Sequence, residues 1–155
     1  MKRIAVLALA LAVLAGAPAA SAQGSLINNS PALIRVRYIV EDVPAATAFY
    51  AEKLGFKVEL QAGRNFAALS RGDLQLLLSP TKGPGGASQP MPDGRRPAPG
   101  GWTRIVLYVP DLESEVERLR KAGVQFRSEI IAGPGGREIL IDDPSGNPVE
   151  LFQPG

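Results

Sequence analysis

Arg35 and Arg37 stand two positions apart in an alternating apolar stretch, and Arg104 opens a second such stretch, with Tyr108 four residues further on. Glu150 lies in a third, near the end of the chain. Guanidinium groups form bidentate hydrogen bonds with carboxylate or phosphate, and a carboxylate with a phenol is the simplest acid–base pair. These groups carry the chemistry because the 155 residues include no cysteine and no histidine. Without cysteine, disulfides, thiolate nucleophiles, zinc fingers and iron–sulfur clusters are excluded. Without histidine there is no Ser-His-Asp triad, no Cys-His pair and none of the most frequent transition-metal ligand.

The elements that must position these groups can be read from periodicity. Leu33 to Val40 alternates and is rich in branched residues, which predicts a strand. Asp42-Val43-Pro44 opens a helix with a capping acid and an early proline; Phe49, Tyr50 and Leu54 form its apolar stripe and Gly55 ends it. Phe56 to Leu60, Asn65 to Ser70 and Leu74 to Ser79 follow as short strands, divided by Ala62-Gly63 and Arg71-Gly72-Asp73. The pattern then repeats. Thr103 to Val109 is a strand, and Asp111 starts a helix whose Leu112, Val116 and Leu119 share one face until Gly123. Val124 to Ile131, Arg137 to Ile141 and Pro148 to Phe152 complete the second set of strands. Arg35 to Asp42 aligns without gaps on Arg104 to Asp111, so the chain contains two βαβββ units and belongs to the α+β class.

The remaining segments set the context. Lys2 and Arg3 precede an apolar run from Ile4 to Ala15 that ends in Ala20-Ser21-Ala22, which predicts a secretory leader over residues 1–22, cleaved before Gln23, and an exported, periplasmic or secreted protein. That run is shorter than the ~20 residues a membrane helix needs, so no membrane insertion is expected once the leader is removed. Losing Lys2 and Arg3 leaves 15 basic residues against the 15 acidic ones, and a neutral mature chain gives no warrant for nucleic-acid binding. Residues 23–32 read as a flexible N-terminal stretch before a single domain over 33–155, made of units at 33–79 and 102–153. Between them, residues 80–101 are dense in proline and glycine. Such a connection is either a linker or a segment that folds over a cavity mouth and brings Arg95 and Arg96 to it, with Trp102 as a wall. Gly133-Pro134-Gly135-Gly136 leads into a strand and lacks the Gly-Lys-Ser/Thr ending of a phosphate loop, so it reads as a hairpin.

The paired units, the stretch Val-Glu-Asp-Val-Pro-Ala-Ala-Thr-Ala-Phe-Tyr-Ala-Glu-Lys-Leu-Gly-Phe (Val40 to Phe56) and the closing Asp143-Pro144-Ser145-Gly146-Asn147-Pro148-Val149-Glu150-Leu151 resemble the vicinal oxygen chelate superfamily. That superfamily includes glyoxalase I, extradiol dioxygenases, fosfomycin-resistance enzymes and bleomycin-binding proteins. The resemblance implies two U-shaped sheets around a cavity, where one residue from each of four strands holds a divalent metal. Carried over position by position, the ligands fall on Arg35, on Leu77 or Gln75, on Arg104 and on Glu150. Arginine offers donors only and stays protonated, and a lone carboxylate holds magnesium or manganese poorly, so no metal and no other cofactor is expected.

If Arg35 faces the cavity, alternation brings Arg37, Gln75, Leu77, Ser79, Arg104, Val106, Tyr108, Glu150 and Phe152 to the same side. The expected pocket then holds three arginines against one glutamate, and suits a small anionic or aromatic organic molecule, as in the bleomycin-resistance branch. Arg35 or Arg104 can instead bridge to Glu150 and merely fix the sheets. Glu150 and Tyr108 form the candidate acid–base pair should the chain be an enzyme of the glyoxalase or dioxygenase kind, although nearby positive charge favours a carboxylate's ionised form and makes a weak base. A degenerate interaction module, with its pocket filled by its own side chains, is the other alternative. Family members often pair, so a homodimer is a further expectation.

Overall fold

The computed structural model describes residues 34–155; the leader expected over 1–22 and the stretch 23–32 lie outside the described residues. The first unit runs through β1 (Ile34–Val40), α1 (Val43–Ala48) with a π-helical continuation Phe49–Lys53, β2 (Lys57–Ala62), β3 (Phe66–Arg71) and β4 (Leu74–Pro80). The second comprises β5 (Ile105–Tyr108), α2 (Leu112–Lys121), β6 (Gln125–Phe126), β7 (Ile131–Gly133), β8 (Gly136–Asp142) and β9 (Pro148–Pro154). No helix among the described residues is long and apolar enough to cross a membrane.

Both units use one plan. The sheet orders are β1-β4-β3-β2 and β5-β9-β8-β6, with the first and last strand of each unit parallel and the others antiparallel. Both helices start on an aspartate: Asp42 Oδ1 accepts from the Ala45 N–H at 2.9 Å and Asp111 Oδ1 from the Ser114 N–H at 3.0 Å, which satisfies a donor the first turn leaves open. Alternation then sends Tyr38, Val40, Leu76 and Leu78 of one sheet, with Ile105, Leu107, Ile139 and Leu151 of the other, into a core cluster shared with both helices.

Two expected elements change form. The helix after Asp42 widens into the π turn at Phe49, which lets the consecutive Phe49 and Tyr50 both be buried; the Tyr50 ring meets Phe49 and Phe56 edge-on at 5.2 and 5.5 Å. Gly55 then takes φ 69° and ends the helix where it was expected to end. The strand read over Val124 to Ile131 is two short pieces, β6 and β7, which both pair with β8 and so fill one place in the sheet. The break falls where the Ser128 Oγ, not a backbone carbonyl, accepts from the Leu140 N–H, and where Arg127 turns to the loop carbonyls of Gly101 and Gly146. The glycine-rich stretch is the β7–β8 hairpin. A Cβ at Gly136 would stand 2.1 Å from the Gln153 carbonyl, so no other residue fits there.

The units meet through β1 and β5, each the outer strand of its sheet. The Tyr38 hydroxyl donates to the Pro148 carbonyl at 2.9 Å and accepts from the Ile105 N–H at 2.9 Å. The turn between β8 and β9 does the rest. Asp143 is buried and accepts from the Ser145 and Asn147 N–H groups, the Asn147 amide and the Tyr50 hydroxyl. Asn147 also donates to the Ile39 carbonyl at 2.9 Å and accepts from the Gly100 N–H at 2.8 Å. Burial pushes the Tyr38 hydroxyl up to about 12, and burial with the Asp143 carboxylate raises Tyr50 well above the usual phenol value. The Asp-Pro-Ser-Gly-Asn segment is thus a fastener between the units.

Candidate functional site

The face of each sheet turned away from the helices carries the predicted residues, and the strand registers place them in pairs. Arg35 lies opposite Gln75 and Arg37 opposite Leu77 in the β1–β4 register. In the second unit Val106, two residues after Arg104, lies opposite Glu150. Leu77 therefore stands to Arg35 as Glu150 stands to Arg104, which settles the slip between Leu77 and Gln75 in favour of Leu77. By the same correspondence Arg37 takes the place of Val106, and Ile39 that of Tyr108.

In the second unit Arg104 donates through Nε to Glu150 Oε2 at 2.6 Å, with the glutamate side chain 9% exposed and the arginine 30%. Val106 and Tyr108 remain exposed on the same face, Tyr108 with its ring edge-on to Phe152 at 5.6 Å. Here Arg104, Val106 and Tyr108, with Ile34, Val36 and the turn at Arg71–Leu74, bound a cavity of about 670 Å³.

The first unit differs. Arg35 and Arg37, with Asn65, Phe66, Leu77 and Ser79, line a separate cavity of about 600 Å³. Its remaining wall is the segment Pro84–Ser88, which includes a 3₁₀ turn at Gly86–Ser88. Ser88 is buried and its hydroxyl donates to the Pro80 carbonyl at 2.6 Å, which ties that wall to the end of β4. Arg37 is held in place: Nη1 donates to the Ser79 hydroxyl at 2.5 Å, and the guanidinium lies 5.9 Å from the centroid of the Phe66 ring. No carboxylate is found among the described residues that line this cavity. Gln75 is buried beside it in register with Arg35, and among the described residues its side-chain oxygen has no hydrogen-bond partner.

The expectation of one pocket holding all three arginines is corrected by this arrangement. Arg35 and Arg37 line one cavity, while Arg104 is engaged by Glu150 and lines another, whose walls come from both units. Of the two readings left open for the loop, Pro84–Ser88 contributes a wall, but Arg95 pairs with Asp93 at the surface and Arg96 lines neither cavity. Trp102 is 73% exposed and lines neither cavity, its ring stacked under Arg127 at 5.5 Å. Sequence reading missed Arg127, which also pairs with Asp142 at 2.7 Å, and it missed Phe66 and Ser79 as the supports of Arg37. Alternation already puts Ser79 on this face, but does not show its bond to Arg37.

A family model described as the Glyoxalase/Bleomycin resistance protein/Dioxygenase superfamily matches residues 32–151. The chain belongs to this superfamily. Among solved structures, a superfamily member from Sphaerobacter thermophilus is 27% identical, with a TM-score of 0.61 over 78% of this chain and 95% of that one. TnmS3, an antibiotic binding protein from a Streptomyces species, is 25% identical, with a TM-score of 0.60 over 79% and 95%. Lactoylglutathione lyase from Agrobacterium tumefaciens shares the fold at 22% identity and a TM-score of 0.61, over 81% and 95%. Among curated proteins none matches.

The superfamily's metal positions can now be tested on this geometry. Arg35, Leu77 and Arg104 offer a cation no electron pair, and the carboxylate at the fourth position, Glu150, is bound by Arg104. Among the described residues there is no group of three or more carboxylates, histidines or cysteines that could hold an ion. These residues do not fit a divalent metal.

Proposed function

We propose that this protein binds a small organic anion in a cavity that works without a metal. The observation that carries this reading is the first-unit cavity of about 600 Å³, where Arg37 is fixed by Ser79 and Phe66 and the described lining holds no carboxylate. Two cations over the apolar surface of Phe66, Leu77, Pro84 and Ala87 suit a molecule with an acidic group and an apolar body. An antibiotic-binding protein of the same fold, at 25% identity, supports binding as the role. Export belongs to the same proposal and rests on Lys2, Arg3, the apolar run to Ala15 and Ala20-Ser21-Ala22.

The test is elemental analysis of the protein purified without chelator and dialysed, with mass spectrometry of the intact chain and of any molecule released on denaturation. The expected result is substoichiometric metal, an acidic organic molecule, and a chain mass that begins at Gln23. Near-stoichiometric metal would overturn the reading.

A further inference from the structure

The registers of the second unit set four side chains in one row across the sheet face turned away from the helices. Tyr108 of β5 lies opposite Phe152 of β9, Phe152 opposite Glu138 of β8, and Glu138 opposite Ile131 of β7. Partners in register project to the same face, so the row runs aromatic, aromatic, carboxylate, apolar. Its two ends are open to solvent, Tyr108 at 68% and Ile131 at 55% exposure. Between them the Phe152 ring meets Tyr108 edge-on at 5.6 Å and reaches the β7–β8 hairpin, where a Cβ on Gly135 would stand 3.8 Å from its Cζ. Ile131, Glu138 and Phe152, with the hairpin residues Gly133–Gly136, line a cavity of about 270 Å³.

Glu138 gives this cavity its chemistry. The residue is half-buried, and among the described residues its carboxylate makes no hydrogen bond and no ion pair. The nearest cations along the chain and the face are committed elsewhere: Arg137 projects to the opposite side and bridges to Glu113 of α2, and Arg104, one row away, is held by Glu150. A carboxylate partly withdrawn from water gains from a bound donor cation, and aromatic rings attract cations through the negative charge density of their faces. A divalent metal is poorly served here, because it needs several further oxygens and the other walls are apolar. We propose that the hairpin cavity binds an organic ammonium ion, whose N–H groups donate to the Glu138 carboxylate and whose carbon body lies against Phe152 and Ile131. This site belongs to the other unit and has the opposite charge to the cavity of Arg37, so it goes beyond the anion reading above and does not rest on it.

The test uses the purified protein at low ionic strength and two probes of one shape, benzylammonium and the uncharged benzyl alcohol, followed through the backbone amide signals of a ¹⁵N-labelled sample. Benzylammonium is expected to shift Ile131, Gly135, Gly136 and Glu138, with benzyl alcohol about tenfold weaker or more. Glu138→Gln keeps the shape and removes the charge, and should lower benzylammonium affinity by the same factor while leaving benzyl alcohol unchanged. If Glu138→Gln does not fold, Ile131→Lys, which brings an ammonium from the chain itself to the exposed place opposite Glu138, should have the same effect, whereas Ile131→Met should keep the wild-type affinity. Equal binding of the two probes, shifts centred on Leu77 and Ser79 of the first unit, unchanged affinity in folded Glu138→Gln or in Ile131→Lys, or no response to benzylammonium would each overturn the inference.

Discussion

Glu150 is a carboxylate removed from water and returned to stability by a single guanidinium. Glu150→Gln leaves Arg104 with a neutral acceptor in a half-buried place, and the expected cost is on the order of 2 kcal/mol, read from the denaturant midpoint. Replacing both partners, with Arg104→Met and Glu150→Leu, should recover most of that loss, because no charge is then left desolvated. If the single variant unfolds at the wild-type midpoint, the pair contributes nothing. These positions were legible in the sequence through the family resemblance, which implies Arg35, Arg104 and Glu150, and alternation adds Arg37 to the face of Arg35. Which of Leu77 and Gln75 matches Glu150 was not, because register is a property of two paired strands and either choice keeps the same face. Nor could the sequence show that Arg104 and Glu150 meet while Arg37 turns to Ser79, since these are choices of rotamer among neighbours.

Among the elements, the turn between β8 and β9 ties together segments that are distant in sequence. Asn147 connects that turn to the Ile39 carbonyl in β1, to the Gly100 N–H at the end of the loop and to Asp143 within the turn. Asn147→Ala abandons buried donors and acceptors on three segments, and a loss of about 2–4 kcal/mol is expected, with amide exchange quickening at Gly100. An unchanged exchange rate at Gly100 would show that the loop is held by other contacts. Strands, helices and capping aspartates were readable because each is a local pattern of apolar period and terminal residue type. The π turn at Phe49 and the break between β6 and β7 were not. The first comes from the demand of two successive aromatics for one core, and the second from Arg127 reaching segments far away in sequence.

At the scale of the molecule, the two units share one core and are joined by Tyr38 across the edges of their sheets. The Tyr38 hydroxyl, pushed up to about 12 in the fold, ionises near 10 in an unfolded chain, so the folded state holds this proton more tightly. Stability from this group is whole below about pH 10 and is lost as pH rises through about 12, and Tyr50 acts in the same direction. Denaturant midpoints measured up the alkaline range should therefore fall. In Tyr38→Phe the fall should be shallower, from a lower starting value, since the bonds to Pro148 and Ile105 are gone; a fall as steep as wild type would place its cause elsewhere. The fastening residues, Tyr38, Asp143 and Asn147, are not those that line the cavity of the first unit. Under the function proposed above, recognition and cohesion are written in separate letters: a library varied at positions 35, 37, 66, 77 and 84–88 could be selected for new ligands while the seam is left as it stands.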